Sequence, residues 1–253
     1  MSTMSDSSST VHQPALNGQT VIILGGSSGI GLETARLARA EGADVVLTAR
    51  DPERLRQAAT DVGARRQAAF DATDNDRLDA FFRSLPVPVD HIMVTAGSPY
   101  YAPLAGMDIP DAVGHVAEHV RLLLEVARHA VDTVRPGGAL LLISGTGGRR
   151  PAIGISITAL LTAGLPALAA NLALELAPIR VNVIAPGFVD TPLSASLLGD
   201  AHALEQRRNQ LRATLPIGRV VGPEDVAALA VHVMTNTALT GATFDVDGGQ
   251  QLT

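Results

Sequence analysis

Three groups of residues could do chemistry in this chain, and one residue type that usually helps them is missing. The run Gly25-Gly26-Ser27-Ser28-Gly29-Ile30-Gly31 follows an apolar, β-branched segment and precedes a stretch with helical spacing. Glycines there permit a tight turn and let backbone N–H groups approach a pyrophosphate. The helix N-terminus then favours the negative charge, so the run predicts a dinucleotide site. His115 and His119 stand four apart on a long helical segment and share a face. Histidine is the side chain best matched to proton transfer near neutral pH. Tyr100 and Tyr101, the only tyrosines, follow another apolar segment. All 19 basic residues are arginine, so no lysine ammonium is available anywhere.

The elements that must position these groups alternate along the chain. Strand-like segments cover 20–26, 44–50, 67–73, 91–97, 138–144, 179–187 and 242–249. Helical spacing covers 30–41, 51–62, 74–84, 108–134, 155–177 and 224–235. Strands apolar throughout, with helices between them, predict an α/β fold. It is a single-domain Rossmann fold, a doubly wound seven-stranded parallel sheet with helices on both faces. The domain is expected over 15–253. Residues 1–14 are Ser/Thr-rich and read as a disordered tail rather than a signal peptide.

Composition narrows the function classes. Of 253 residues, 46% are hydrophobic and 17% charged, and the net charge is −6. The arginines are scattered, which argues against a nucleic-acid partner. There is no cysteine, hence no disulfide or thiolate nucleophile. No third ligand accompanies the two histidines, and no metal is expected. The stretch between Arg150 and Glu175 is uncharged but interrupted by Gly154, Gly164 and Pro166. It predicts a helix buried between subunits rather than a membrane span. A cytoplasmic homo-oligomer, dimer or tetramer, acting on a small molecule is the expectation.

The second strand ends in Arg50. An arginine there accommodates a ribose 2′-phosphate, whereas a carboxylate would accept from the 2′-OH, so NADP(H) is favoured over NAD. Asp51, next in the chain, is the one argument against it.

From about Gln19 to Gly249 the chain resembles the short-chain dehydrogenase/reductase family. The resemblance rests on the glycine-rich turn, Asp71-Ala72-Thr73, Val94-Thr95-Ala96-Gly97, Ile179-Arg180-Val181-Asn182, Pro186-Gly187 with Thr191, and Val246-Asp247-Gly248-Gly249. It implies that Asp71 and Ala72 meet the adenine and that Ala96 and Gly97 pass the adenosine ribose. Pro186, Gly187, Val189 and Thr191 would hold the nicotinamide. Asp71 could equally be a helix N-cap.

The same resemblance implies an Asn, a Ser and a Tyr-x-x-x-Lys pair. Aligned on the fifth strand and on Asn171 to Pro178, those positions hold His119, Gly145, Thr158 and Thr162. All four depart from the pattern. A threonine hydroxyl does not ionise near neutral pH, so ordinary alcohol–ketone interconversion is expected to be weak or absent. His119, Tyr100 and Tyr101 are the candidate proton donors. Pro166 inside the corresponding helix removes a hydrogen bond and costs about 3 kcal/mol unless the helix breaks, which predicts a displaced 155–165 segment. Arg149 and Arg150 stand where an anionic substrate could be bound, or on a solvated loop. Residues 194–215 are expected to form an amphipathic substrate lid. Three functions stay open: an oxidoreductase with a non-standard proton route, a nucleotide-binding sensor or scaffold, and a cyclase or isomerase reusing the cleft.

Overall fold

The computed structural model describes residues 14–253, so all but the last residue of the expected tail lies outside the described residues. Seven strands form one parallel sheet in the order β3-β2-β1-β4-β5-β6-β7. The strands are β1 (Thr20–Leu24), β2 (Asp44–Ala49), β3 (Arg66–Ala69), β4 (Val89–Val94), β5 (Val134–Ile143), β6 (Arg180–Pro186) and β7 (Thr243–Val246). The helices are α1 (Gly29–Ala40), α2 (Pro52–Val62), α3 (Asn75–Arg83), α4 (Ile109–Thr133), α5 (Ser156–Glu175), α6 (Pro192–Leu198), α7 (Ala201–Thr214) and α8 (Pro223–Thr235).

The apolar strands are explained by burial on both sides. Successive side chains of a strand point to opposite faces. In β1, Ile22 and Leu24 enter one core with Ile92, Leu140 and Val183. Val21 and Ile23 enter the other with Met93, Leu141 and Ile184. Both faces then favour apolar side chains, which is why the alternation of a half-exposed strand is missing.

The strand order reverses between β1 and β4, and the crevice at that point opens at the carboxyl ends of the strands. Every turn implicated in chemistry leaves the sheet at this edge. At the opposite edge, Arg180 is buried and donates to the carbonyls of Val233, Met234, Asn236, Leu239 and Gly137. Asn182 donates to Leu239 O and accepts from Ala242 N. The Ile179 to Asn182 signature is therefore structural: it ties β6 to the connection that leads into β7.

One sequence expectation needs correction. α5 is continuous through Pro166, so the helix neither breaks nor leaves its path there. Tertiary packing explains this. Leu161, Leu165, Ala169, Leu172 and Ala173 are buried along one face of α5. On another face, a Cβ at Gly148 would lie only 2.8 Å from Ala163 N and 2.9 Å from Ala159 O, so the loop after β5 is seated on the helix backbone. The 194–215 stretch, expected to form a helical cover, consists of two helices, α6 and α7, separated by Gly199 at φ +88. Boundaries also moved: β5 begins at Val134, paired with Val89, and β3 ends at Ala69.

Candidate active site

The glycine-rich turn is shaped by what crosses it. Gly25 has φ +99, and a Cβ there would fall 2.6 Å from Thr95 Oγ1 and 2.8 Å from Ala96 N. A Cβ at Gly31 would lie 2.4 Å from Gly25 O. Only glycine fits either place. The Thr95 hydroxyl lies 3.0 Å from both Leu24 O and Gly25 O, clasping the turn to the end of β4. Thr95 belongs to the Val94 to Gly97 segment, and its role as a clasp could not be read from the sequence.

Ser28 is the N-cap of α1, yet its hydroxyl makes no capping bond, and the first turn of α1 carries no acid. The helix start therefore presents N–H donors without an internal anion, as a phosphate site requires. Across the crevice, a Cβ at Gly29 would lie 3.2 Å from Thr191 Cγ2. The turn and the Pro186 to Thr191 segment thus face each other across the space a dinucleotide would thread. Ser27 and Ile30 lie in the same turn and first helical residues.

At the end of β2 the competing residues separate cleanly. Asp51 caps α2, accepting from Glu53 N and Arg54 N at 3.0 Å each. Arg50 is exposed and makes no hydrogen bond or ion pair among the described residues. Asp71 accepts from Thr73 N and Thr73 Oγ1 in a local turn, while Asp74 is the N-cap of α3. Asp71 is therefore not the helix cap. Ala72 is buried, and Ala96 packs on the same core.

Gly145, Thr158 and Thr162, three of the four positions that depart from the expected catalytic pattern, lie together. A Cβ at Gly145 would meet Thr162 Cγ2 at 3.5 Å and Pro186 O at 3.6 Å. One at Gly147 would meet Thr162 Oγ1 at 3.7 Å and Thr158 Cγ2 at 3.8 Å. Both threonine hydroxyls are occupied by backbone. Thr158 Oγ1 donates to Tyr100 O at 2.8 Å and accepts from Tyr100 N at 3.0 Å. Thr162 Oγ1 donates to Thr158 O at 2.9 Å.

His119 lies against the loop that follows β4. A Cβ at Gly97, which has φ +120, would lie 3.3 Å from His119 Nδ1. Burial pushes the His119 imidazole below its ordinary range, and the neighbouring His115 adds to this. It is neutral at pH 7. His115 packs its ring 5.4 Å from that of Tyr100, and its Nε2 is buried without a partner. The Tyr100 phenol is raised by desolvation and by Asp111 and Asp108, and that of Tyr101 by burial. With no lysine to lower them, both phenols stay protonated at neutral pH. Tyr101 is half-exposed at 52%.

Arg149 does not stand free for an anion: it forms a two-pronged pair with Asp245. No group of three or more His, Asp or Glu side chains that could hold a metal occurs among the described residues.

Residues 25–251 match the family model described as Enoyl-(Acyl carrier protein) reductase. The 3beta-hydroxysteroid dehydrogenase 1 of Eggerthella lenta is 32% identical, covering 94% of this chain and 95% of its own. A small-chain dehydrogenase solved in complex with NADPH is 27% identical with TM-score 0.79, over 93% of this chain and 99% of that one. The MalC Reductase/Diels-Alderase from Malbranchea aurantiaca is 28% identical with TM-score 0.87, over 95% and 99%. With a parallel seven-stranded sheet, a glycine turn clasped by β4 and these relatives along nearly its whole length, the chain belongs to the short-chain dehydrogenase/reductase family.

Proposed function

We propose that this chain is an NADP(H)-dependent oxidoreductase that works without a tyrosine–lysine pair, on a small organic substrate whose reduction needs little acid assistance. The observation that carries the cofactor choice is the split between Asp51 and Arg50. The carboxylate is committed to the α2 cap, which leaves the guanidinium as the group able to meet a 2′-phosphate. The NADPH bound in one structural relative is consistent with this. When bound, the reduced nicotinamide supplies a hydride. The chain's own residues hold the dinucleotide at the glycine turn, the α1 start, Arg50 and the Pro186 to Thr191 segment.

The substrate class follows from the proton inventory. Thr158 and Thr162 have no free hydroxyl proton, Gly145 has no hydroxyl, and the phenols are not activated. An iminium carbon needs no proton at oxygen when it takes hydride, because the product is a neutral amine. An activated C=C accepts hydride at one carbon and a proton at the other, and His119 or water can deliver that proton. A carbonyl is the least suited. The MalC relative's name, which joins a reductase to a Diels-Alderase, favours a second reading in which the same cleft also shapes a cyclisation.

NADPH oxidation with matched ketones, imines and enones, alongside calorimetric titration of NADP and NAD, tests the proposal. Turnover of imines or enones with NADPH supports it. NADP binding without turnover of any of them favours a sensor or scaffold. A substrate converted without NADPH consumption favours the cyclase reading.

We further infer a homo-oligomer. α5 is apolar enough in length and composition to cross a membrane, yet only 28% of its window is buried within the chain. Its Leu160 and Leu174 are exposed, as are Val113, Leu124 and Val131 of α4. Covering such a surface in a second copy removes apolar area from water. Light scattering that shows a stable monomer at micromolar concentration would reject this.

A further inference from the structure

Two arginines beside the crevice have no carboxylate partner among the described residues. Arg150 directly follows the one-turn helix Thr146–Arg149 after β5, and its Nη1 donates to Gln250 O at 2.6 Å. Gln250 Oε1 in turn accepts from Phe188 N at 2.8 Å. Arg207 of α7 places its guanidinium 5.7 Å from the centre of the Phe188 ring and donates from Nη1 to the Gln210 amide oxygen at 2.8 Å. Phe188 and Gln250 thus form one small frame that both guanidinium groups contact. Phe188 follows the Pro186-Gly187 step, in the segment facing the glycine turn.

The nearby acids are all engaged elsewhere. Asp245 is held by Arg149, and Asp190 by both prongs of Arg208. Glu205 pairs with Arg208 and Arg212. Asp247 accepts from the backbone N–H groups of Gly249 and Gln251. Burial lowers the Arg207 guanidinium's hold on its proton, and the charge of Arg150 lowers it further, as expected for two cations with no anion between them.

Two like charges held close on neutral partners repel, and an anion between them converts the repulsion into two attractions. Planar guanidinium groups match a carboxylate in geometry as well as charge. We propose that Arg150 and Arg207 form an anion subsite that grips a carboxylate on the substrate, with the Phe188 ring as the apolar floor beside it. The inference rests on the reading of the cleft as a site for NADP(H) and a small organic molecule, and narrows the substrate to an organic anion. Arg207 lies on the lid and Arg150 on the loop after β5, so a bound carboxylate would also hold the lid against the sheet edge.

The test uses the full chain saturated with NADP, titrated calorimetrically with phenylacetate and with its neutral isostere phenylacetamide. Phenylacetate is expected to bind about tenfold or more tightly, as for a hydrogen bond to a charged group. Arg150→Gln and Arg207→Gln should each remove that preference while leaving phenylacetamide and NADP affinity unchanged, and the retained NADP affinity reports that the variants are folded. Equal binding of the two compounds, or binding of neither, overturns the subsite. Loss of NADP affinity in a variant that keeps the wild-type urea midpoint also overturns it, because the arginines then serve the cofactor's phosphates. A wild-type chain that prefers phenylacetate but binds no NADP would keep the subsite and sink the cofactor reading instead.

Discussion

The hydroxyl of Thr158 is bonded twice to the backbone of Tyr100, donating to its carbonyl and accepting from its amide. A residue at the family's tyrosine position here acts as a strut between α5 and the loop after β4. Thr158→Val keeps the shape and removes both bonds. We expect a loss of about 0.5–1.5 kcal/mol per bond in urea unfolding, the net worth of an ordinary hydrogen bond, since both residues are half-buried. The Thr158→Tyr, Thr162→Lys double variant should leave reduction of ordinary ketones at the wild-type level. The new ring must displace the Tyr100 strut, Gly145 still offers no hydroxyl, and a misplacement of ~1 Å can cost ~10²-fold. Brisk ketone turnover by that variant would show that the site was merely stripped of residues and not reshaped.

Arg50→Ala should weaken NADP by about 1.5–3 kcal/mol, the range for hydrogen bonds to a charged group, and leave NAD affinity where it was. Calorimetry on both nucleotides reads this directly. Wild-type affinities that are equal for the two would remove the argument from the freed guanidinium.

If His119 delivers the proton, its depressed pKa sets the pH profile. The folded imidazole releases its proton below the ordinary value of about 6.5. Turnover that uses the imidazolium should therefore climb as pH falls, with its midpoint on the acid side of that value. His119→Ala should flatten the profile and lower turnover by about 10²-fold or more. A silent His119→Ala alongside an inactive Tyr100→Phe or Tyr101→Phe would move the donor to the loop.

His91 makes a separate prediction about stability. It is buried in β4, bonded through Nε2 to Gln19, with Nδ1 unpartnered, and burial lowers its pKa to about 4. In the unfolded chain it titrates near 6.5, so between those values the unfolded state binds the extra proton. Stability then falls as pH drops through this window, by about 3 kcal/mol in all at 1.36 kcal/mol per pKa unit. Urea unfolding of wild type and His91→Gln at pH 7 and pH 5 checks this. Equal acid sensitivity in the two would assign the loss to other groups.

Much of the architecture was legible because strand burial and the glycine turn leave local signatures. Seven apolar segments, β-branched residues and the alternation with helical spacing marked the sheet, and Gly25 to Gly31 marked the first crossover. The edges were less legible: β5 starts at Val134 through a pairing with Val89 that lies 45 residues away. The departures at His119, Gly145, Thr158 and Thr162 were visible as residue types. What those residues touch was not.

By itself the sequence determined the fold class, the dinucleotide turn and the absence of lysine, since each depends on residue type and spacing along the chain. Tertiary structure alone decided how the polar groups are spent. Asp51 went to the α2 cap, Thr158 to the Tyr100 backbone, Arg149 to Asp245, and Thr95 to the turn it crosses. It also decided that α5 runs straight through Pro166, because packing of the whole helix outweighs one missing bond. The reason is physical: a hydrogen bond or ion pair is settled by which partner arrives within about 3 Å, and that is fixed by the packing of segments far apart in the chain.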